Sequence, residues 1–144
     1  MIYLDSSFLV SLHFRDANTP SALALVRSAS EPLLISSLVE LETVNAFCRR
    51  VFRKQMTITN MQNAVRDLEK DIQSGVLQLQ ALPHAAFTRG KVLAQTLTPS
   101  LGIRSADLLH LAAALELGAT TFYTFDERQH KAAQAAGLAV NPLP

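Results

Sequence analysis

The chain has 144 residues, 49% of them hydrophobic and 17% charged, the size and composition of one globular domain spanning residues 1–144. A chain this long buries roughly two thirds of the surface that its unfolded form exposes, which excludes disorder and leaves no need for a disulfide or a structural metal. Thirteen basic against twelve acidic residues give a formal charge of +1, too little for the broad basic face of a duplex-DNA binder.

Ile2-Tyr3-Leu4 reads as a short strand and Ser6 to Phe14 as a helix. A second helix, Asn18 to Ser30, opens at Pro20, is apolar at Leu23, Val26 and Ala29, and is closed by Pro32. Leu33-Leu34-Ile35 makes a second strand, and Ser37 with Glu40 three residues on predicts a capping box at the head of a long helix to about Lys54. Thr59 to Ser74 is the cleanest amphipathic helix, with Met61, Val65, Leu68 and Ile72 on one face and Gly75 at its end. Val76 to Leu82 alternates apolar with polar residues, as an edge strand does.

His84 to Leu97 is predicted helical, followed by a loop through Pro99 and Gly102. Ser105 is expected to cap a helix to Glu116 that is apolar on nearly every side and so lies inside the molecule. Thr121 to Phe125 is a strand, Glu127 to Ala136 a helix ended by Gly137, and Leu138-Ala139-Val140 a last strand. Short strands alternating with helical crossovers imply an α/β fold, a mostly parallel sheet of four to five strands covered on both faces, with ligands expected beyond the carboxyl ends of the strands. The most apolar stretch, Leu108 to Leu115, contains His110 and is far short of the roughly 18 residues of a membrane span. Asp5 stands where a signal peptide would carry its basic and apolar runs, so export and anchoring are not expected. Cys48 is the only cysteine, which excludes a disulfide framework and a cysteine-built metal site and fits a reducing, cytoplasmic setting.

Four acids invite a second reading beside the structural one. Asp5 and Asp126 end strands and can cap the helices that follow, Asp126 with Gln129 completing a box; Asp107 can sit in the positive field of a helix N-terminus. Taken together, these three belong to one end of a parallel sheet and can converge there. Glu42 is the acid that capping explains worst, because Glu40 already serves the predicted box. Four neighbouring carboxylates repel and raise one another's pKa values unless a cation neutralises them. Oxygen-only ligands in this number point to Mg²⁺ or Mn²⁺, the equipment of phosphoryl-transfer chemistry.

The stretches Tyr3-Leu4-Asp5-Ser6-Ser7, Ser36-Ser37-Leu38-Val39-Glu40-Leu41-Glu42, Ser105-Ala106-Asp107-Leu108-Leu109-His110 and Thr124-Phe125-Asp126-Glu127-Arg128-Gln129 resemble the four acidic motifs of PIN-domain nucleases. The similarity is to the VapC-type ribonuclease toxins of bacterial toxin–antitoxin modules, and it runs through essentially the whole chain. The resemblance implies a three-layer α/β/α sandwich and a Mg²⁺- or Mn²⁺-dependent endoribonuclease. It assigns Asp5, Glu42, Asp107 and Asp126 as metal-binding catalytic acids. Thr124 would hold the last acid or a metal-bound water, and Ser6 or Ser7 would support the first. It also implies a homodimer and a small antitoxin that blocks the acidic pocket.

His110, one turn after Asp107, is either a hydrogen-bonded core residue or a group reaching the metal or a phosphate. Arg49, Arg50, Arg53 and Lys54 either offset a helix dipole or guide an RNA backbone toward the acids, with Arg104 on another side. Cys48 reads as a small core residue, and Phe47, Phe52 and Met56 as exposed apolar positions for pairing two copies. His13, His84 and His130 show no metal spacing, and no Gly-rich phosphate loop follows a strand. Two other classes compete: a Mg²⁺-binding phosphoacceptor signalling domain and a catalytically silent PIN-like binding module. The first needs an acceptor aspartate in mid-sequence, where only Asp67 and Asp71 on a solvated helix face are available, and a lysine after a late strand, where Lys131 lies within a helix. Metal-dependent RNA cleavage separates the second from the enzyme.

Overall fold

In the computed structural model, which describes residues 1–144, a five-stranded, wholly parallel sheet has the order β3-β2-β1-β4-β5. The strands are β1 (Ile2–Leu4), β2 (Leu33–Ser36), β3 (Leu77–Gln80), β4 (Thr121–Tyr123) and β5 (Ala139–Val140). Seven helices connect them: α1 (Ser6–His13), α2 (Thr19–Ser28), α3 (Ser37–Phe52), α4 (Ile58–Gln73), α5 (Ala85–Leu101), α6 (Ser105–Glu116) and α7 (Glu127–Ala135). The sequence expectation of an α/β/α sandwich on a parallel sheet is met.

The central strand β1 is buried at all three positions, which is why it is a continuous apolar run. The edge strand β3 alternates, with Leu77 buried and Gln78 and Gln80 exposed. Register fixes which face each residue serves: Tyr3 lies opposite Phe122, and Leu4 opposite Tyr123. Tyr3 stacks on Phe122 at 5.4 Å between ring centroids and meets His110 of α6, whereas Tyr123 meets Phe8 of α1. One face therefore carries the α5, α6, α7 layer and the other the layer of α1 to α4. A smaller apolar cluster of Val10, Phe47, Met56 and Ala64 ties α1, α3 and α4 together. No helix is long and apolar enough to cross a membrane.

Several local expectations are corrected. The N-cap of α3 is Ser36, whose hydroxyl accepts from Val39 N, while Ser37 Oγ accepts from Leu82 N and ties the helix to the end of β3. Helix α5 runs on through Pro99 to Leu101. Pro99 is exposed in the last turns, where water can satisfy the carbonyl that a prolyl nitrogen cannot; the stop is Gly102, left-handed at φ 62°. Ser105 is the first residue of α6 rather than its cap, which is Arg104 with no capping side chain. Gln129 does not complete a box at Asp126; its side chain reaches Asp107. Phe47 and Met56 are buried, Cys48 is exposed, and of the three apolar positions expected at the surface only Phe52 is there, 88% exposed.

Candidate active site

The chain leaves β1 for β2 and β3 on one side, then returns to place β4 and β5 on the other. The switch point between β1 and β4 opens a crevice at their carboxyl ends, where ligands of parallel sheets bind. Asp5 and Asp126 flank it. Asp5 directly follows β1 and is buried; Oδ1 accepts from Phe8 N at 2.9 Å and from Ser7 Oγ at 2.7 Å, and Oδ2 accepts from Thr124 Oγ1 at 2.6 Å. Asp5 thus caps α1. Burial pushes its carboxyl above the usual range, and the hydrogen bonds from Thr124, Phe8 and Ser7 oppose that shift.

Thr124 is fully buried after β4, its N–H held by Asn141 Oδ1 at 2.8 Å. Its hydroxyl donates to Asp5 and accepts from Asp126 N at 3.0 Å, so one oxygen spans both strand-ending acids. Asp126 caps α7 by accepting from Gln129 N at 2.8 Å. The buried Gln129 also donates its side-chain amide to the carbonyl of Asp107 at 3.1 Å, and its own Oε1 has no partner. Gln129 therefore fixes the heads of α6 and α7 against each other, a positioning role hidden in a motif that reads only as a cap. Asp107, in the first turn of α6, is raised by burial and then by the charge of Asp126; Arg104, with Nε 3.9 Å away, counteracts.

Glu42 faces the crevice from α3. Its Oε2 accepts from Ser6 Oγ at 2.9 Å and lies 2.7 Å from Nε2 of His110, which is buried. The bond to His110 is the main reason that the Glu42 carboxyl lies below its usual range, against the opposing effect of burial. Nδ1 of His110 lies 3.3 Å from the Tyr3 hydroxyl, itself 2.7 Å from Ser36 Oγ. Burial raises the Tyr3 hydroxyl far above an ordinary phenol, so it stays neutral and serves as a hydrogen-bonding strut. The pair Glu42–His110 is separated by 68 residues, which leaves no local sequence signal for it.

Ser7 thus serves Asp5, and Ser6 serves Glu42. Arg49, Arg50 and Arg53 line a cavity of about 580 Å³ whose wall also includes Ser6, Ser7 and Asp126. Arg104 is not in that wall and stands beside Asp107. The other histidines are structural: Nε2 of His13 meets Asp71 at 2.9 Å, and Nε2 of His130 meets Asn141 O at 2.8 Å.

The PIN domain profile matches residues 2–135. The chain belongs to the PIN domain family. A search of the curated proteins gave no match. Among solved structures, this PIN domain is similar to VapC20 of Mycobacterium tuberculosis, a Sarcin-Ricin loop cleaving toxin, at 22% identity and a TM-score of 0.70 over 99% of this chain and 100% of that one. It is similar to FitAcB from Neisseria gonorrhoeae at 16% identity and a TM-score of 0.70, covering 99% and 97% of the two chains. VapBC2 from Rickettsia felis, bound to a DNA fragment from its promoter, matches at 20% identity and a TM-score of 0.64 over 98% of each chain. At these identities the likeness establishes the fold.

In this PIN domain no three His, Cys, Asp or Glu side chains stand in an array that could by itself hold a metal ion. The donor chemistry nonetheless fits a hard divalent cation. Asp5 and Asp107 are carboxyls whose charge burial disfavours, Asp107 is further opposed by Asp126, and the acids are supported by hydroxyls and amides rather than by thiols.

Proposed function

We propose that this PIN domain, acting through the whole chain 1–144, is a Mg²⁺- or Mn²⁺-dependent endoribonuclease and the toxin of a toxin–antitoxin pair. The observation that carries the reading is the uncompensated opposition of Asp107 and Asp126 across the crevice from the buried Asp5. Repelling acids at a ligand-binding switch point destabilise a fold unless a cation is their normal companion. Asp5, Glu42, Asp107 and Asp126 would hold the ion. When bound, it supplies a water of lowered pKa and compensates charge on the phosphate oxygens.

The chain's own residues then have separable tasks. Thr124 and Ser7 immobilise Asp5, Ser6 and His110 aim Glu42, and Gln129 keeps Asp107 and Asp126 in register. Arg49, Arg50, Arg53 and Arg104 attract the RNA backbone from two sides. The fold shared with VapBC2 and FitAcB supports a small antitoxin partner covering the acids, in a cytoplasmic setting. Leu41 and Phe52, at 66% and 88% exposed along α3, supply apolar surface for a homodimer.

Incubation of the purified protein with a mixed RNA pool tests the reading. Cleavage is expected with Mn²⁺ or Mg²⁺, to vanish with EDTA, and to leave 5′-phosphate ends, because water and not the ribose 2′-hydroxyl attacks. Fragments ending in 2′,3′-cyclic phosphate contradict this mechanism, and intact RNA under all conditions leaves a silent binding module.

A further inference from the structure

The cavity beside the acids has a second wall that metal chemistry does not use. It lies between α1 and α3, and away from Ser6, Ser7 and Asp126 it is formed by Arg49, Arg50, Arg53, Asn18 and Gln55. We propose that it is a single-nucleotide subsite: one unpaired nucleotide next to the cleaved bond enters it, with phosphate on Arg49 and Arg53 and the base edge read by the amides of Asn18 and Gln55. This rests on the endoribonuclease reading and adds to it a strand state and a source of base selectivity.

Size and shape are the first argument. About 580 Å³ lies within the roughly 300–1,000 Å³ of small-molecule sites. A concave wall of this size admits a splayed-out nucleotide and refuses the stacked, paired bases of a duplex.

Charge is the second. None of Arg49, Arg50 and Arg53 forms an ion pair with a carboxylate. Asp16, the carboxylate on this side, is spent internally, accepting from Ser11 Oγ at 2.8 Å, Asn18 N at 2.8 Å and Thr19 N at 3.1 Å. Arg50 is held over the Phe14 ring, 5.1 Å from its centroid, which fixes the wall while Arg49 and Arg53 stay exposed. Offsetting the α3 dipole explains cations in the last turn, but not why they face a cavity continuous with the acids. A chain of net charge +1 attracts a polyanion only where such a group of free arginines is gathered.

The third argument is polar chemistry without a partner. The side-chain amides of Asn18 and Gln55 make no hydrogen bond within the chain, although the backbone N–H of each is engaged. An amide offers a donor and an acceptor side by side, the pattern that reads the edge of an unpaired base.

The test is fluorescence anisotropy in EDTA with labelled decaribonucleotides of A, C, G or U, and with a duplex of the same length. Wild type is expected to bind single strands at least tenfold more tightly than duplex and to rank the four homopolymers unequally. The double variant R49Q/R53Q, whose exposed sites should leave the melting temperature unchanged, is expected to lose at least tenfold in single-strand affinity. Its slope of log K against log salt should fall by about 1.4, at about 0.7 per lost phosphate contact. N18A/Q55A should narrow the spread among the four homopolymers. An unchanged salt slope in R49Q/R53Q, or equal binding of duplex, overturns the proposal. So does arginine-dependent capture of a polyglutamate peptide with RNA affinity untouched, which makes the cavity a protein-docking groove. If the arginines bind single strands as expected but Mn²⁺ brings no cleavage, the nuclease reading fails and the subsite stands.

Discussion

The hydroxyl of Thr124 donates to the buried carboxylate of Asp5 at 2.6 Å, linking the last residue before α1 to the segment that follows β4. Because Thr124 Oγ1 also accepts from Asp126 N, both strand-ending acids depend on one side-chain oxygen. Thr124→Val keeps the shape and removes that oxygen, so a buried carboxylate loses a donor and an amide loses its acceptor. The expected cost is about 1–3 kcal/mol at pH 7. Thr124 holds the Asp5 pKa down, so its loss raises that pKa further, and the cost should shrink as acid protonates Asp5. Urea unfolding at pH 7 and pH 4 checks both the size and the sign.

Glu42 has the opposite sign. Its folded-state pKa is lowered, chiefly by His110, so the stability it contributes is present above the ordinary glutamate range and is lost as pH falls through the lowered value. Glu42→Gln should therefore be destabilising at pH 7 and converge with wild type toward pH 3. Denaturant midpoints across that interval test it; a difference that is constant with pH assigns Glu42 no charged role in folding.

Helix α3 ends in a Schellman motif on an unfavourable residue. Lys54 sits at φ 58°, Lys54 N donates to Val51 O at 2.9 Å, and Gln55 N donates to Arg50 O at 2.8 Å. Glycine takes this conformation without the penalty of a side chain, about 1–2 kcal/mol for an L residue, less its own greater chain entropy. Lys54→Gly should raise stability by about 0.5–1 kcal/mol in thermal melts while retaining Arg49 and Arg53 for RNA.

Much of this architecture is legible in the sequence because parallel strands and their crossover helices have distinct periods. The Ile2-Tyr3-Leu4 run, the Gln-interrupted edge strand and the apolar Leu108–Leu115 stretch each have one reading. Helix α3 does not. It carries Leu38, Val39, Leu41, Val44, Ala46, Phe47, Val51 and Phe52 nearly all round, so pattern alone cannot say that Val39, Thr43 and Phe47 face inward while Leu41 and Phe52 face out. The Ser36-Ser37 pair offers two caps one residue apart, and the choice is made by Tyr3 and Leu82, which engage one hydroxyl each. The four acids stand out by type and position, but their supporting bonds, Glu42 to His110 and Gln129 to Asp107, join distant segments and emerge only on folding.

The central claim is that these carboxylates hold a divalent ion, and thermal melting of wild type and Asp107→Asn in EDTA and in Mn²⁺ tests it most directly. Asparagine forfeits about 0.3–1 kcal/mol of interaction with the α6 dipole but relieves the opposition of Asp126, so without metal the variant should be as stable as wild type or more so. Wild type should gain RT ln(1 + [L]/Kd) on adding Mn²⁺, about 2.7 kcal/mol at a hundredfold excess over Kd, and Asp107→Asn should lose most of that gain. Equal responses of the two proteins to Mn²⁺ would show that Asp107 is not a ligand and contradict the account.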